Sequence, residues 1–319
     1  TAAVKSAPKD ANILLDKVNI TMQNASEGGK STAIQLSGSG NHILAKGGVF
    51  DAGSAEVANV LDITAGGENN RVDFVGSTLK GDIRSAAAGN TVNLVSGSLT
   101  GGAIADTGDL SLNLDGSTWT GAAGSHSPDV SLSNNSVWNV KGFNGTRPDY
   151  LRWGDGPYSS VSSLSLHGSN LINLVDADGR AQLGGHGFAG TKSALTLGVD
   201  NDLTSDGKGV TSVKAGTYSP DNIHSLTSTG LAGNYQFGAL YVNGLATGGK
   251  YALSLESSGA EPYTIGGRLA DGHPGETSAH AFVSYKTAES RVVTGKDGKP
   301  VTQIVKSDAD FISQSAPAE

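Results

Sequence analysis

The chain has 319 residues, 37% of them hydrophobic and 16% charged, with 46 glycines and no cysteine. That length suits one large domain or two smaller ones, and the missing cysteine excludes a disulfide scaffold, a thiol nucleophile and cysteine-ligated metal. A formal net charge of -8 and a pI near 5.3, with no basic stripe, argue against a nucleic-acid partner, and no apolar run is long enough to span a bilayer as a helix. Glycine without a G-x-y period excludes collagen, and alternating apolar runs argue against disorder, so a strand-and-turn protein is expected. The chain opens at Thr1 without Met or a signal-like stretch, as expected of a mature or excised piece.

In chain order, strands are predicted over 13–22, 32–36, 42–50 and 57–64. Their uneven spacing implies loops that enlarge the early turns. From residue 71 the register tightens. RVDFVGSTLKG, TVNLVSGSLTG and SLNLDGSTWTG follow one another at twenty-residue steps, and VSLSNNSVWNVKG is a looser fourth copy. Leu79, Leu99, Trp119 and Trp138 align, separated by 20, 20 and 19 residues. Val72, Val92 and Leu112 align ahead of them, with Phe74, Leu94 and Leu114 two positions on. Period two within a run buries one face of a strand, and a period near twenty between runs marks a solenoid coil. Helical repeats would need 3.6-residue periodicity, which the copies lack. The fold class is therefore all-β: a parallel β-helix with coils of about 20 residues, each stacked on the next at about 4.8 Å. SSLSLHGSNLINLVDADG and SALTLGVDND resume the pattern, so the stem, with corner-loop insertions, covers 1–225. Residues 226–319 change character. The runs 235–241 and 250–255, AHAFVSYK and KPVTQIVKSDADFISQ read as hairpins that cap the stack and cover its open edge.

GALYVNGLATGGKYALSL, VTQIVKSDADF and SLSNNSVWNV resemble phrases that recur in autotransporter passenger domains of the pertactin-like adhesin type. The resemblance covers most of the chain and is strongest over 110–166 and 235–311. It implies right-handed winding and a C-terminal unit of the autochaperone kind. It also implies export through the periplasm of a Gram-negative bacterium by an outer-membrane β-barrel that this chain does not contain, with the passenger displayed on the cell surface or secreted. Such passengers serve adhesion, aggregation or biofilm growth, and some carry protease or lipase domains.

The sequence offers little catalytic chemistry. There is no G-x-S-x-G elbow and no H-E-x-x-H or H-x-H pair, so no catalytic, cofactor or metal residue is assigned. The rival to adhesion is a polysaccharide-degrading β-helix enzyme, which needs paired carboxylates on one wall. Asp62 and Asp82 stand one coil apart, as do Asp155 and Asp176 across an insertion. Asp73 is followed in equivalent slots by Asn93 and Asn113, which argues against a carboxylate cluster there. The turns holding Asp176 and Asp178, and Asp200, Asp202 and Asp206, carry the spacing of loose calcium ligands but read better as solvated turns.

The insertion KGFNGTRPDYLRWGDGPYSS breaks the register with Phe143, Arg147, Tyr150, Arg152, Trp153 and Tyr158, the densest aromatic-arginine cluster in the chain. Such a loop either binds a ligand or folds back over apolar surface. Arg180, His186 and Lys192 form a second candidate group. If both loops left one corner they would make a basic patch for an anionic glycan such as a glycosaminoglycan. The expected partners are a host glycan, a matrix protein, or the same protein on another cell through Asn, Thr and Ser ladders.

Overall fold

In the computed structural model the described residues are 2–23, 29–107, 109–151, 156–177, 182–184, 193–206, 208–214, 234–236, 239–243, 245–247, 250–254, 265–271, 279–286, 291–294, 298–303 and 309–310. They are almost wholly β, with one short 3-10 turn at Asp149–Leu151. The chain divides into two compact units, one of residues 1–140 and 160–170, the other of 141–159 and 171–319.

The first unit is a stack of three-stranded coils in which every strand pairs in parallel with its equivalent in the next coil, the topology of a parallel β-solenoid. Face A is a six-stranded sheet running from Ala2–Ser6 to Ala123–Ser125. Face B runs from Asn12–Asp16 through His42–Lys46, Arg71–Val75, Asn90–Val95, Leu110–Asp115 and Asp129–Ser133 to Tyr158–His167. Face C begins at Ile20–Thr21 and reaches Val137–Val140. Strand Ala2–Ser6 was not among the sequence-predicted elements. With only five residues before a Pro-Lys-Asp turn, it shows no second copy to align with.

Coil length varies as the uneven early spacing implied. At the corner before face B successive coils are 30 residues apart from Ala11 to Asn41, 29 from Asn41 to Asn70 and 20 from Asn70 to Asn90. The step from Ser136 to Asn170 is 34, because the aromatic insertion lies between them.

The core is a set of ladders along the stack. On face B, Ile43, Val72, Val92, Leu112, Val130 and Leu164 are in register and at most 2% exposed. On face C, Phe50, Leu79, Leu99, Trp119 and Trp138 do the same, confirming the alignment read from the repeat. The two indoles stack with ring centres 4.2 Å apart and planes 5° from parallel. Each donates its Nε1–H to a glycine carbonyl of the preceding coil, Trp119 to Gly101 at 2.8 Å and Trp138 to Gly121 at 3.0 Å. A buried indole needs such an acceptor, and a Cβ on Gly121 would come within 2.7 Å of Trp119 Nε1, so a glycine there leaves room for the Trp119 bond.

Corners close with buried amides. Asn41, Asn70 and Asn90 form a column before face B, each accepting a hydrogen bond at 2.9 Å from the backbone N–H one coil earlier. Their own amide groups donate to the carbonyls of Pro8, Gly38 and Gly67. This column satisfies backbone groups that the turn removes from the sheets.

In the second unit, Leu171–Asn173, Val210–Lys214 and Lys250–Ser254 pair in parallel, and Thr196–Ser205 pairs in parallel with Ala239–Val242 and Leu245–Thr247. The two runs read as a hairpin, 235–241 and 250–255, therefore do not pair with each other. Residues 239–241 and 250–254 each continue a parallel sheet, while 235–236 pair antiparallel with Ala279–Lys286. A strand, a glycine turn and a strand look alike in a coil corner and a hairpin, which is why the sequence did not separate them. Antiparallel pairing joins Asn234–Gln236, Ala279–Lys286 and Ile265–Asp271, and separately Arg291–Thr294 with Pro300–Gln303.

Candidate binding site

Among the insertion residues, Phe143, Arg147, Tyr150 and Tyr158 are described, while Arg152 and Trp153 lie outside the described residues. Phe143 and Tyr158 form an antiparallel bridge with backbone hydrogen bonds of 2.8 and 3.0 Å, and their rings sit 6.1 Å apart. Arg147 donates Nε–H to the Gly156 carbonyl at 3.2 Å, across the base of the same loop. Leu151 is 2% exposed, and both it and the Tyr150 hydroxyl lie against Gly198, where a Cβ would come within 2.6 Å of each. These side chains fold the insertion back onto its own unit. Arg180, His186 and Lys192 all lie outside the described residues.

The carboxylate pairs come out differently from the spacing argument. Asp82 is opposite Asn59, and Asp62 is opposite Arg84, because these two strands pair at steps of 23 and 22 residues and not at the 20 that separates the two aspartates. Asp62 lies 3.5 Å from Lys30 Nζ, and Arg84 grips Asp106 with two contacts of 2.7 and 2.9 Å. Asp155 and Asp178 are outside the described residues. Asp206 accepts from the Lys208 backbone and Asp200 from Asn243. Among the described residues no group of three or more His, Asp or Glu side chains is placed to hold a metal ion.

What the structure does assemble is a shallow groove of about 380 Å³ on the outer surface of face B. Its floor is the outward row opposite the core ladder: Leu44, Asp73, Asn93 and Asn113 in register. Beside that row, Val75 and Val95 give an apolar strip, followed in the same register by Asp115 and Ser133. Arg71 lies on the other side, two residues before Asp73.

Hydrogen bonds tie the floor together. Asn113 Nδ2 donates to Asn93 Oδ1 at 2.9 Å, and Asn93 Nδ2 donates to Asp73 Oδ1 at 2.7 Å. Arg71 reaches both carboxylate oxygens at 3.1 Å, and His42 Nε2 lies 2.7 Å from Oδ2. An ionised carboxylate only accepts, so the His42 Nε2 carries a proton. Asp73 is 8% exposed. Burial pushes its carboxyl up, but the hydrogen bonds from Asn93, His42 and Arg71 and the guanidinium charge outweigh burial and hold it below the ordinary value of 3.8. Asp73 is thus a fixed anion with a full set of donors, not a proton donor at neutral pH.

Reading outward rows at the twenty-residue step would have found this floor, and the Asp73, Asn93, Asn113 alignment is visible in the sequence. The groove is not, because its concavity depends on how successive coils stack. No family model, curated protein or solved structure matches the chain.

Proposed function

We propose that the chain is the passenger of an adhesin-type autotransporter: a right-handed parallel β-helix with its antiparallel C-terminal strands as a cap, displayed at a bacterial surface and binding a glycan or a matrix protein there. The observation that carries the binding part is the groove on face B, whose floor is a hydrogen-bonded Asp-Asn-Asn row. Hydrolysis of a glycan needs a carboxylic acid with a raised pKa and a second carboxylate nearby. Asp73 is held ionised, and the next two rungs are amides, so the site favours holding a ligand over cleaving it.

The test is an array of glycans and matrix proteins probed with the purified chain, beside a variant carrying Arg147→Ala, Arg152→Ala and Trp153→Ala. Saturable binding to one ligand class supports the adhesin reading, and loss in that variant would put the contact on the insertion loop. Time-dependent shortening of a glycan would replace adhesion with catalysis. A chain that binds no surface at all would end the adhesin reading.

A further inference from the structure

We infer that the face B groove is a subsite for a linear, uncharged glycan lying along the stacking direction, an assignment that rests on the adhesin reading above. Three observations lead there. The first is valence. In Asn93 one amide N–H goes to Asp73 and one carbonyl lone pair is taken by Asn113, which leaves a donor and an acceptor for the groove. Asn113 on the next rung has a free amide N–H and carbonyl lone pair as well, so two successive rungs of the floor, about 4.8 Å apart, offer a donor beside an acceptor. That step is close to the length of one pyranose in an extended chain, and vicinal hydroxyls are themselves donor-acceptor pairs. Because every amide in the row donates toward Asp73, the row is polarised along one direction.

The second observation is shape. Val75 and Val95 flank the amides in register, and Val75 is 38% exposed. A sugar ring presents hydroxyls on its edge and C–H groups on its faces, which suits amides beside an apolar strip. From Leu44 to Ser133 the groove crosses four rung intervals, about 19 Å, room for about four sugar residues.

Charge is the third. The ionised residues lining the groove are Arg71, Asp73 and Asp115, and Arg71 is already engaged with both oxygens of Asp73. The lining carries one more negative than positive charge. A sulfated or uronic chain would meet Asp115 with no free cation among the lining residues, and exposed Lys46, in register with Val75, lies three rungs from Asp115, so a glycosaminoglycan is disfavoured at this surface. A basic peptide lacks the repeating hydroxyl pairs that the floor is spaced to meet.

The experiment is calorimetry of the intact chain against neutral β-linked hexose oligosaccharides of two to eight residues and heparin oligosaccharides of the same lengths, at low and high salt. The variant is Asn93→Ala with Asn113→Ala. Near-ultraviolet circular dichroism of the Trp119–Trp138 pair, unchanged, reports that the variant is folded. The expected result is affinity for a neutral series that climbs to about the tetramer and then levels, is indifferent to salt, and falls about tenfold or more in the variant. Undiminished binding by the folded variant overturns the assignment. So does binding of heparin alone, released by salt, which leaves adhesion standing on charged loops. Binding of matrix protein or of a second copy without any oligosaccharide also removes the glycan while keeping adhesion. Absence of binding to all of these defeats both readings.

Discussion

Asp73 is the residue where local chemistry and stability meet most directly. Its three donors come from three coils: His42 from the one before, Arg71 from its own strand and Asn93 from the one after. The sign of its pH dependence follows from its lowered pKa. A carboxyl that ionises more readily folded than unfolded contributes stability fully above the unfolded value and loses it as pH falls through the folded one. Asp73→Asn should therefore cost about 1–2 kcal/mol near pH 7, the scale of charge-assisted hydrogen bonds with one partner half exposed. The gap between wild type and variant should close below the ordinary value of 3.8. Urea titrations at pH 7 and at pH 2.5 check this. A gap that does not narrow at all between pH 7 and pH 2.5 would mean that Asp73 acts through packing and not through its charge.

At the scale of the elements, the tryptophan ladder on face C makes the sharpest demand on sequence. A Cβ on Gly121 would come within 1.8 Å of the Gly101 carbonyl oxygen and 2.7 Å of Trp119 Nε1. Neither the backbone nor a stacked indole can yield that space, so Gly121→Ala should destabilise by about 3 kcal/mol or more and disturb the near-ultraviolet signal of the indole pair. Gly76 is the control. It sits at φ +67° in a corner where an added methyl group would meet nothing within 4 Å, so Gly76→Ala should cost only the left-handed strain of about 1–2 kcal/mol. Urea melts of the two variants separate crowding from backbone strain. The same elements show what could be read in advance. Leu79, Leu99, Trp119 and Trp138 were alignable because a closed interior forces one large apolar side chain per coil. The outward row Asp73, Asn93, Asn113 was equally periodic, yet hydration leaves such rows free to vary, and nothing in the residues tells a groove floor from a flat wall. The Asp62–Asp82 pairing failed for a related reason: the step between these two strands is 22 to 23 residues, not the 20 of the later coils, and an offset of two or three residues takes the aspartates out of register.

Across the first unit as a whole, stability should be graded along the stack. A solenoid coil contacts only its neighbours, so each coil is held by two interfaces except where one is missing. Among the described residues no strand pairs with the outer side of the first coil. Its inward residues Ile13 and Leu15 are only half-buried, whereas their register partners Ile43 and Ala45 are at most 1% exposed. Hydrogen exchange should therefore be faster at Asn12–Asp16 than at Asn90–Val95, which is paired on both sides. A substitution can tell local from global opening. Leu94 is fully buried between Phe74 and Leu114, so Leu94→Ala should cost about 2–5 kcal/mol through the cavity it leaves. In a nearest-neighbour stack the lost protection should concentrate in Arg71–Val75, Asn90–Val95 and Leu110–Asp115 and fade toward the first coil, which already opens by its own lower-energy route. Leu15→Ala should do the reverse, accelerating exchange in the first two coils and leaving Leu110–Asp115 unchanged. If both variants instead lowered protection evenly across all three faces, the unit would open as one cooperative block, and coil-by-coil additivity would not describe it.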